Sequence, residues 1–146
     1  MRYIIAILLS IFVVTAAQAK TPEQQIKCLA TNMYYEAGGE GVRGMTAVGH
    51  VVMNRVESGK FPSSPCSVVY QRTRSVCQFS WVCGKKAAMN KERYAVAMEL
   101  ARKIYFGNSS DITRGALFFH ATYVRPYWSR VFKKTAHIGN HIFYRG

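Results

Sequence analysis

Acidic side chains are scarce in this chain, which has seven Asp and Glu residues against twenty Lys and Arg. Few carboxyl groups are therefore available for acid–base chemistry. The formal net charge of +13 predicts an anionic partner or surface, although such a charge can also serve solubility alone. The sequence has no P-loop, no GxGxxG segment and no metal-ligand spacing, so we expect no cofactor and no bound metal.

The four cysteines form no CxxC pair, and no His lies close to any of them in sequence, which argues against a zinc site and against redox chemistry. An even number of cysteines in an exported chain predicts two disulfides, for which three pairings are possible. Cys77 and Cys83 could close a short loop, which would leave Cys28 with Cys66. The sequence does not choose among the three pairings.

Long apolar runs are also missing, except for residues 4–14. Arg2 precedes this run and an Ala-Gln-Ala triplet follows it at 17–19, which predicts a cleaved signal peptide over residues 1–19. The run is short for a membrane span of ~20 residues, and an uncleaved anchor is the alternative. We expect residues 20–146 to form one domain in the periplasm or outside the cell. There the basic charge would meet an anionic envelope surface rather than nucleic acid.

Three helices are predicted from capping signals and periodicity. Thr21 and Pro22 start the first helix, and two glycines at 38–39 end it. The second helix spans residues 44–57. The third begins near Asn90 and ends at Gly107, with Val96, Leu100 and Ile104 on one face.

Short apolar or aromatic runs at 67–70, 78–82 and 115–120 predict strands, and the stretch 58–65 has the composition of a loop. Helices that carry the core beside a small sheet or ribbon give an α+β fold class.

The run YYEAGGEG at 34–41 contains the most informative acid, Glu36, in the last turn of the first helix. Aromatic neighbours remove water from a carboxyl group and raise its pKa, so that it can hold a proton near neutrality. Glu36 is therefore a candidate general acid. The alternative is a helix end that leaves Glu36 and Glu40 solvated.

This run begins an ordered set of segments that resembles the spore-cortex-lytic type of bacterial cell wall hydrolases. The set covers most of the chain from Cys28 to Tyr144. Its members are EAGGEG at 36–41, AVGHVVMNRV at 47–56, FP at 61–62, VVYQ at 68–71, QFSW at 78–81, GALFFH at 115–120, Trp128 and IGNHIFY at 138–144.

The resemblance implies a lysozyme-like fold and cleavage of peptidoglycan glycan strands between N-acetylmuramic acid and N-acetylglucosamine. It also implies a lytic transglycosylase, in which one glutamate protonates the glycosidic oxygen and then acts as a base, leaving a 1,6-anhydro end. Glu36 occupies the matching position. Relatives often have Arg where this chain has Gly38, so the sequence suggests that no cation lies beside the candidate acid.

Further residues are candidates for substrate contact. Glu40 could position sugar, stabilise developing positive charge or hold the Glu36 loop, or it could be a surface residue. Gln78 and Ser80 could bind N-acetyl or hydroxyl groups. Phe79 and Trp81 could stack on sugar faces, although core packing is the alternative for Phe79. Tyr35 is either a wall of the site or a core residue.

His120 and His141 lie near apolar residues, where a histidine is more often a satisfied core group than a ligand-binding one. Both remain candidate substrate contacts because binding residues are common at the ends of elements. Asn54 and Arg55, at the end of the second helix, are interpreted as structural.

The predicted partner is peptidoglycan, contacted by a monomer. The sequence leaves two rival functions open. One is a hydrolytic muramidase that uses Glu36 with Glu40 as its second carboxylate. The other is a cationic wall-binding or antimicrobial protein without catalysis, for which Glu36 would be dispensable.

Overall fold

A computed structural model describes residues 19–146. The predicted signal peptide falls almost entirely on residues outside this range. Helices α1 (Pro22–Ala37) and α2 (Gly41–Glu57) are joined by a 3₁₀ turn, Gly38–Glu40. They are followed by the short helix α3 (Pro65–Val69), the hairpin β1 (Arg72–Thr73) and β2 (Val76–Cys77), and the short helix α4 (Ser80–Cys83).

The C-terminal half contains the long helix α5 (Lys91–Tyr105) and three strands. These are β3 (Phe118–Ala121), β4 (Lys133–Ile138) and β5 (His141–Arg145), with a 3₁₀ turn at Tyr127–Arg130 between β3 and β4. The strands form an antiparallel sheet in the order β3-β5-β4. Among the described residues, no helix is long and apolar enough to cross a membrane.

The helix ends follow the local capping signals. Thr21 caps α1 by accepting a hydrogen bond from the Gln24 amide at 3.3 Å, and Gln24 accepts one in return from the Thr21 amide at 2.9 Å. Asn90 caps α5 in the same sense by accepting from the Arg93 amide at 2.8 Å. The predicted start of α1 and the Asn90 start of α5 are therefore confirmed, whereas α2 begins three residues earlier than predicted.

The strands predicted at 67–70 and 78–82 are wrong, because both segments contain short helices. Ser64 caps α3 by accepting from the Ser67 amide at 3.3 Å, and Pro65 occupies its first turn. Val68 and Val69 are then buried against the core. A short apolar run suits a buried strand and a buried helical turn equally well, so periodicity alone could not separate them.

The helical core is formed where α1, α2 and α5 pack on one another. Gly49 of α2 lies where a Cβ atom would be 2.7 Å from Ile104 and 2.9 Å from Met33, so a larger residue would have to displace these side chains. The buried face of α5 is Ala97, Ala101 and Ile104, whereas Val96 is 39% exposed. The predicted face of α5 is thus rotated, because its small alanines permit close packing on α1.

A second, smaller core joins the sheet to α2. It consists of Ala47 and Val51 from the helix with Ala116, Ile138 and Phe143 from the sheet side. This packing fixes the sheet beside the helices. The gap between the two halves contains the site described below.

Disulfides join Cys28 to Cys66 and Cys77 to Cys83, so the pairing that the sequence left open is settled. The first joins α1 to α3 across 38 residues, and the second closes a six-residue separation around α4.

We expect the double variant Cys28→Ala/Cys66→Ala to lose about 4 kcal/mol of unfolding free energy, and Cys77→Ala/Cys83→Ala about 2 kcal/mol, because longer closed loops restrict the unfolded chain more. Urea denaturation of the oxidised proteins measures both values. Equal losses for the two variants would contradict this entropic account.

Candidate active site

A cleft of about 450 Å³ lies between the helical core and the sheet. The helical half supplies the end of α1 and one residue of α2, and the β2–α4 segment supplies one wall. The sheet half supplies β3, the residues after it and the start of β5. The lining residues are Tyr35, Glu36, Arg55, Gln78, Phe79, Ser80, Trp81, Phe119, His120, Ala121, Tyr123, Val124 and His141.

Eight of the nine residues singled out from the sequence line this cleft, and Glu40 is the exception. The set was scattered over more than a hundred positions, so the fold has brought distant segments together. Whether each of the eight contacts a substrate remains a prediction.

Glu36 lies in the last turn of α1, just before the helix ends at Ala37. The helix end gives its side chain access to the cleft while the surrounding core keeps it half-buried. Burial raises the pKa of the Glu36 carboxyl to about 7, and the opposing positive charge of Arg55 lowers the pKa by less. Desolvation therefore outweighs the charge, and the carboxyl can hold a proton at neutral pH.

Arg55 corrects the prediction that no cation lies near the acid. It stands in α2 rather than beside Glu36 in sequence, and only 3% of its surface is exposed. Its Nε donates a hydrogen bond to the Leu117 carbonyl at 2.7 Å. Burial lowers the pKa of the Arg55 guanidinium to about 10, while the charge of Glu36 raises it.

The Arg55 guanidinium also lies against three aromatic rings. Its Cζ atom is 5.0 Å from the centroid of Phe61, 5.4 Å from Phe79 and 5.9 Å from Phe118. These contacts and the Leu117 hydrogen bond agree with the structural role expected from the sequence. Its Nη1 atom, however, is buried without a hydrogen-bond partner among the described residues. A buried donor without a partner is costly, so Arg55 retains a binding capacity next to the acid.

One wall of the cleft is an aromatic pair. The rings of Tyr35 and Trp81 stack with centroids 4.8 Å apart and an interplanar angle of 22°. Trp81 Nε1 donates to Asn32 Oδ1 at 2.9 Å, and the Tyr35 hydroxyl donates to the Ala87 carbonyl at 3.3 Å. Their polar atoms are thus fixed on the protein side, and the wall presents ring surface to the cleft.

Gln78 and Ser80 line the cleft from the loop that the Cys77–Cys83 disulfide closes. Both residues are exposed, which leaves their polar groups accessible to a ligand. Phe79 lies between them in sequence but is only 3% exposed, and its ring packs against the Arg55 guanidinium. Core packing is the role that the structure favours for Phe79.

His120 and His141 line the sheet side of the cleft. The ring nitrogens of His120 lie 2.9 Å from the Ala121 carbonyl oxygen and 3.0 Å from the Tyr144 hydroxyl, and its ring stacks on Tyr144. His141 is 7% exposed and meets Phe119 edge to face at 5.1 Å. Because both ring nitrogens of His120 already have partners, His120 offers mainly its ring to a ligand.

Glu40 turns away from the cleft toward the β4–β5 turn. Its Oε2 accepts a hydrogen bond from the Asn140 amide at 3.0 Å. Its Oε1 lies 3.1 Å from His141 Nδ1, close in distance but not aligned as a hydrogen bond. Gly139 has a φ of +55°, and a Cβ atom there would collide with the Glu40 carboxylate. Of the roles considered for Glu40, the arrangement favours holding the loops together.

Sequence reasoning missed Tyr123 and Val124, which extend the cleft beyond β3. Tyr123 is 87% exposed, an unusual setting for a large aromatic side chain. The alternation of aromatic and basic residues at 123–130 was the available signal. In the part of the chain that the structure describes, no three His, Cys, Asp or Glu side chains lie together in a way that could hold a metal ion.

We expect the Glu36 carboxyl to titrate near pH 7. Replacing Arg55 by Met should raise this pKa further, because the opposing charge is lost, whereas Arg55→Lys should leave it close to the wild-type value. Carbon-detected NMR of ¹³C-labelled glutamate carboxyls measures the three midpoints directly. A wild-type midpoint at the usual glutamate value, or no change in Arg55→Met, would contradict the electrostatic account.

We expect Glu40→Gln to lower the free energy of unfolding by about 2 kcal/mol, because a partly buried, charge-assisted contact between two loops is weakened. Glu57→Gln makes the same chemical change at an exposed position and should alter stability by less than about 0.5 kcal/mol. Urea denaturation compares the two. Wild-type stability in Glu40→Gln would refute the loop-holding role and favour substrate contact.

The family model described as Cell Wall Hydrolase matches residues 39–144, a range that begins just after Glu36. The chain is also similar to the catalytic domain of the Bacillus cereus SleB protein. The TM-score is 0.65 at 25% identity, and the match covers 84% of this chain and 91% of that one. A second similar structure is the catalytic domain of the germination-specific lytic transglycosylase SleB from Bacillus anthracis. Its TM-score is 0.63 at 23% identity, with coverage of 90% and 100%.

None of the curated proteins matches the chain. The two structural matches confirm the α+β, lysozyme-like fold class that the sequence predicted. Because the family model spans well over half of the residues, the protein belongs to the cell wall hydrolase family.

Proposed function

We propose that this protein is an exported lytic transglycosylase that cleaves the β-1,4 bond between N-acetylmuramic acid and N-acetylglucosamine in peptidoglycan. The observation that carries the proposal is a half-buried Glu36 in the cleft, with its pKa raised to about 7 by burial. Such a group is protonated often enough at neutral pH to donate to a leaving oxygen. The Bacillus anthracis relative, a lytic transglycosylase, belongs to the same reaction class.

The number of carboxyl groups favours transglycosylation over hydrolysis. Hydrolytic glycosidases generally use two carboxyl groups that flank the scissile bond. Among the described residues that line the cleft, Glu36 alone carries a carboxyl group. Glu40 is held by Asn140 and His141, which weakens the case for it as a second catalytic carboxylate.

In the first step, neutral Glu36 donates its proton to the glycosidic oxygen as the bond to C1 of the muramic acid breaks. Positive charge develops on C1, and Glu36 becomes a carboxylate. The buried guanidinium of Arg55 stabilises this carboxylate through space, as its effect on the Glu36 pKa indicates.

In the second step, the Glu36 carboxylate accepts the proton of the muramic acid 6-hydroxyl. The oxygen of that hydroxyl attacks C1 of the same sugar and closes a 1,6-anhydro ring. Glu36 regains its proton, so the cycle consumes no water and needs no second carboxylate.

The residues around the acid suit a glycan. The stacked rings of Tyr35 and Trp81 offer an apolar surface for a sugar face, and Gln78 and Ser80 offer groups for N-acetyl or hydroxyl contacts. His141 and the ring of His120 would contact the strand from the opposite side. We assign these six residues to substrate binding.

Delivery outside the cytoplasm fits the covalent structure. Both disulfides are typical of proteins that fold in an oxidising compartment. The predicted signal over residues 1–19 would carry the chain there. The excess of basic residues in the chain would favour contact with an anionic envelope. We propose that it acts there as a monomer.

Replacing Glu36 by Gln is expected to reduce cleavage of purified peptidoglycan at least about 100-fold, because the proton donor is lost. Mass spectrometry should find 1,6-anhydro ends in the wild-type digest and almost none in the variant digest. The matched control, Glu57→Gln, should keep wild-type activity. Reducing ends from the wild type would indicate a muramidase, and equal lysis by Glu36→Gln would indicate a non-enzymatic wall-binding protein.

The same variant should be more stable than the wild type above neutrality. Because burial raises the folded-state pKa of Glu36, its contribution to wild-type stability falls as pH rises from about 4.5 through about 7. Gln has no charge to bury, so Glu36→Gln should gain about 3 kcal/mol over the wild type at pH 8 relative to pH 4. Urea denaturation at both pH values checks this and shows that lost activity is not lost folding.

A further inference from the structure

A second depression, of about 340 Å³, adjoins the cleft on the sheet side. It shares His120 and Val124 with the cleft, so the two are continuous. Arg125 and Arg130 supply its charge, and Thr122 and Ser129 supply hydroxyl groups. A strand bound in the cleft would therefore have a basic surface next to it.

The charge of this depression is not balanced locally. Arg125 and Arg130 are exposed, and no acidic residue lines the depression in the described part of the chain. The carboxylates that make ion pairs among residues 19–146 are Glu23, Glu99 and Glu40, which pair with other residues. An arginine guanidinium without a local partner is well suited to a carboxylate or phosphate group.

The segment that carries both arginines is held in place. Trp128 packs against Phe118 at 5.7 Å and against His120 at 5.6 Å, and the Ser129 hydroxyl donates to the Pro126 carbonyl at 2.7 Å. The same segment leaves Tyr123 and Tyr127 exposed at 87% and 79%. A fixed segment with exposed tyrosines and arginines is typical of a binding surface.

The proposed substrate carries anionic groups beside its glycan chain. Each muramic acid carries a short peptide on its lactyl ether, and the peptide projects sideways from the glycan and bears free carboxylates. A glycan that lies along the cleft would direct such a peptide toward an adjoining depression. The chemistry of the depression matches carboxylate recognition.

We propose that Arg125 and Arg130 form a subsite for the free carboxylates of the peptide carried by muramic acid. This inference rests on the proposed function and adds a preference, namely for strands whose peptides keep their charge. The contribution comes from exposed ion pairs, so the expected preference is about fivefold and should shrink as salt is added.

The test compares peptide-bearing glycan strands with the same strands after their carboxylates have been converted to neutral amides. Binding is measured by co-sedimentation with Glu36→Gln as the parent, which does not depend on cleavage. We expect the parent to bind the untreated strands about fivefold more tightly, and Arg125→Gln/Arg130→Gln in the same background to bind both substrates equally. The rates of cleavage by the corresponding active proteins should show the same ratio.

Lys133→Gln/Lys134→Gln removes the same charge from exposed positions that do not line the depression and should keep the preference. The subsite is refuted if the parent binds both substrates equally, or if the two arginine substitutions leave the preference intact. It is also refuted if the lysine variant loses the preference to the same extent, since the effect would then be one of net charge. Absence of cleavage by the wild type would overturn the proposed function, while the binding comparison would still decide the subsite.

Discussion

The site depends on two polar side chains that fasten the sheet to the helices. Arg55 of α2 reaches across to the Leu117 carbonyl just before β3, and Glu40 at the start of α2 holds the Asn140 amide in the β4–β5 turn. The apolar contacts between α2 and the sheet pack the two halves side by side. The directional contacts at either end of α2 add to this packing, because a hydrogen bond tolerates little change in length.

The chemistry of the cleft follows from a balance between desolvation and charge at Glu36. Burial alone would raise the pKa of this carboxyl above about 7. Arg55 opposes that rise without cancelling it, so that both protonation states of Glu36 are accessible near pH 7. The aromatic rings around the Arg55 guanidinium exclude water from this charge and hold it in one position. One buried cation therefore serves the architecture and the acid together.

Local signals in the sequence predicted local features well. Thr21 and Asn90 could be recognised as helix caps because a cap acts on backbone groups two or three residues away. The short helices α3 and α4 were predicted as strands, because their apolar runs are too short to show a period. The family resemblance identified Glu36 and most of the cleft residues, since these are grouped in recognisable segments.

Features that depend on distant segments could not be predicted in the same way. In the sequence, Arg55 looks like an ordinary residue in the last turn of a helix. The carbonyl group that accepts its hydrogen bond belongs to Leu117, 62 positions further along the chain. The engagement of Glu40 with Asn140 spans 100 positions. The positions of Tyr123 in the cleft and of the two arginines in the adjoining depression likewise follow only from the fold. Contacts of this kind are set by the fold and cannot be predicted from composition or residue spacing.

The chain has two tryptophans, and each lies at one of the two proposed binding surfaces. Trp81 forms the cleft wall with Tyr35, whereas Trp128 packs against His120 and Tyr144, which line the adjoining depression. Indole emission responds to changes in its immediate surroundings. The protein therefore contains two intrinsic fluorophores, one at the proposed glycan-binding surface and one at the basic surface. Variants that keep a single tryptophan would report on each surface separately, without an added label.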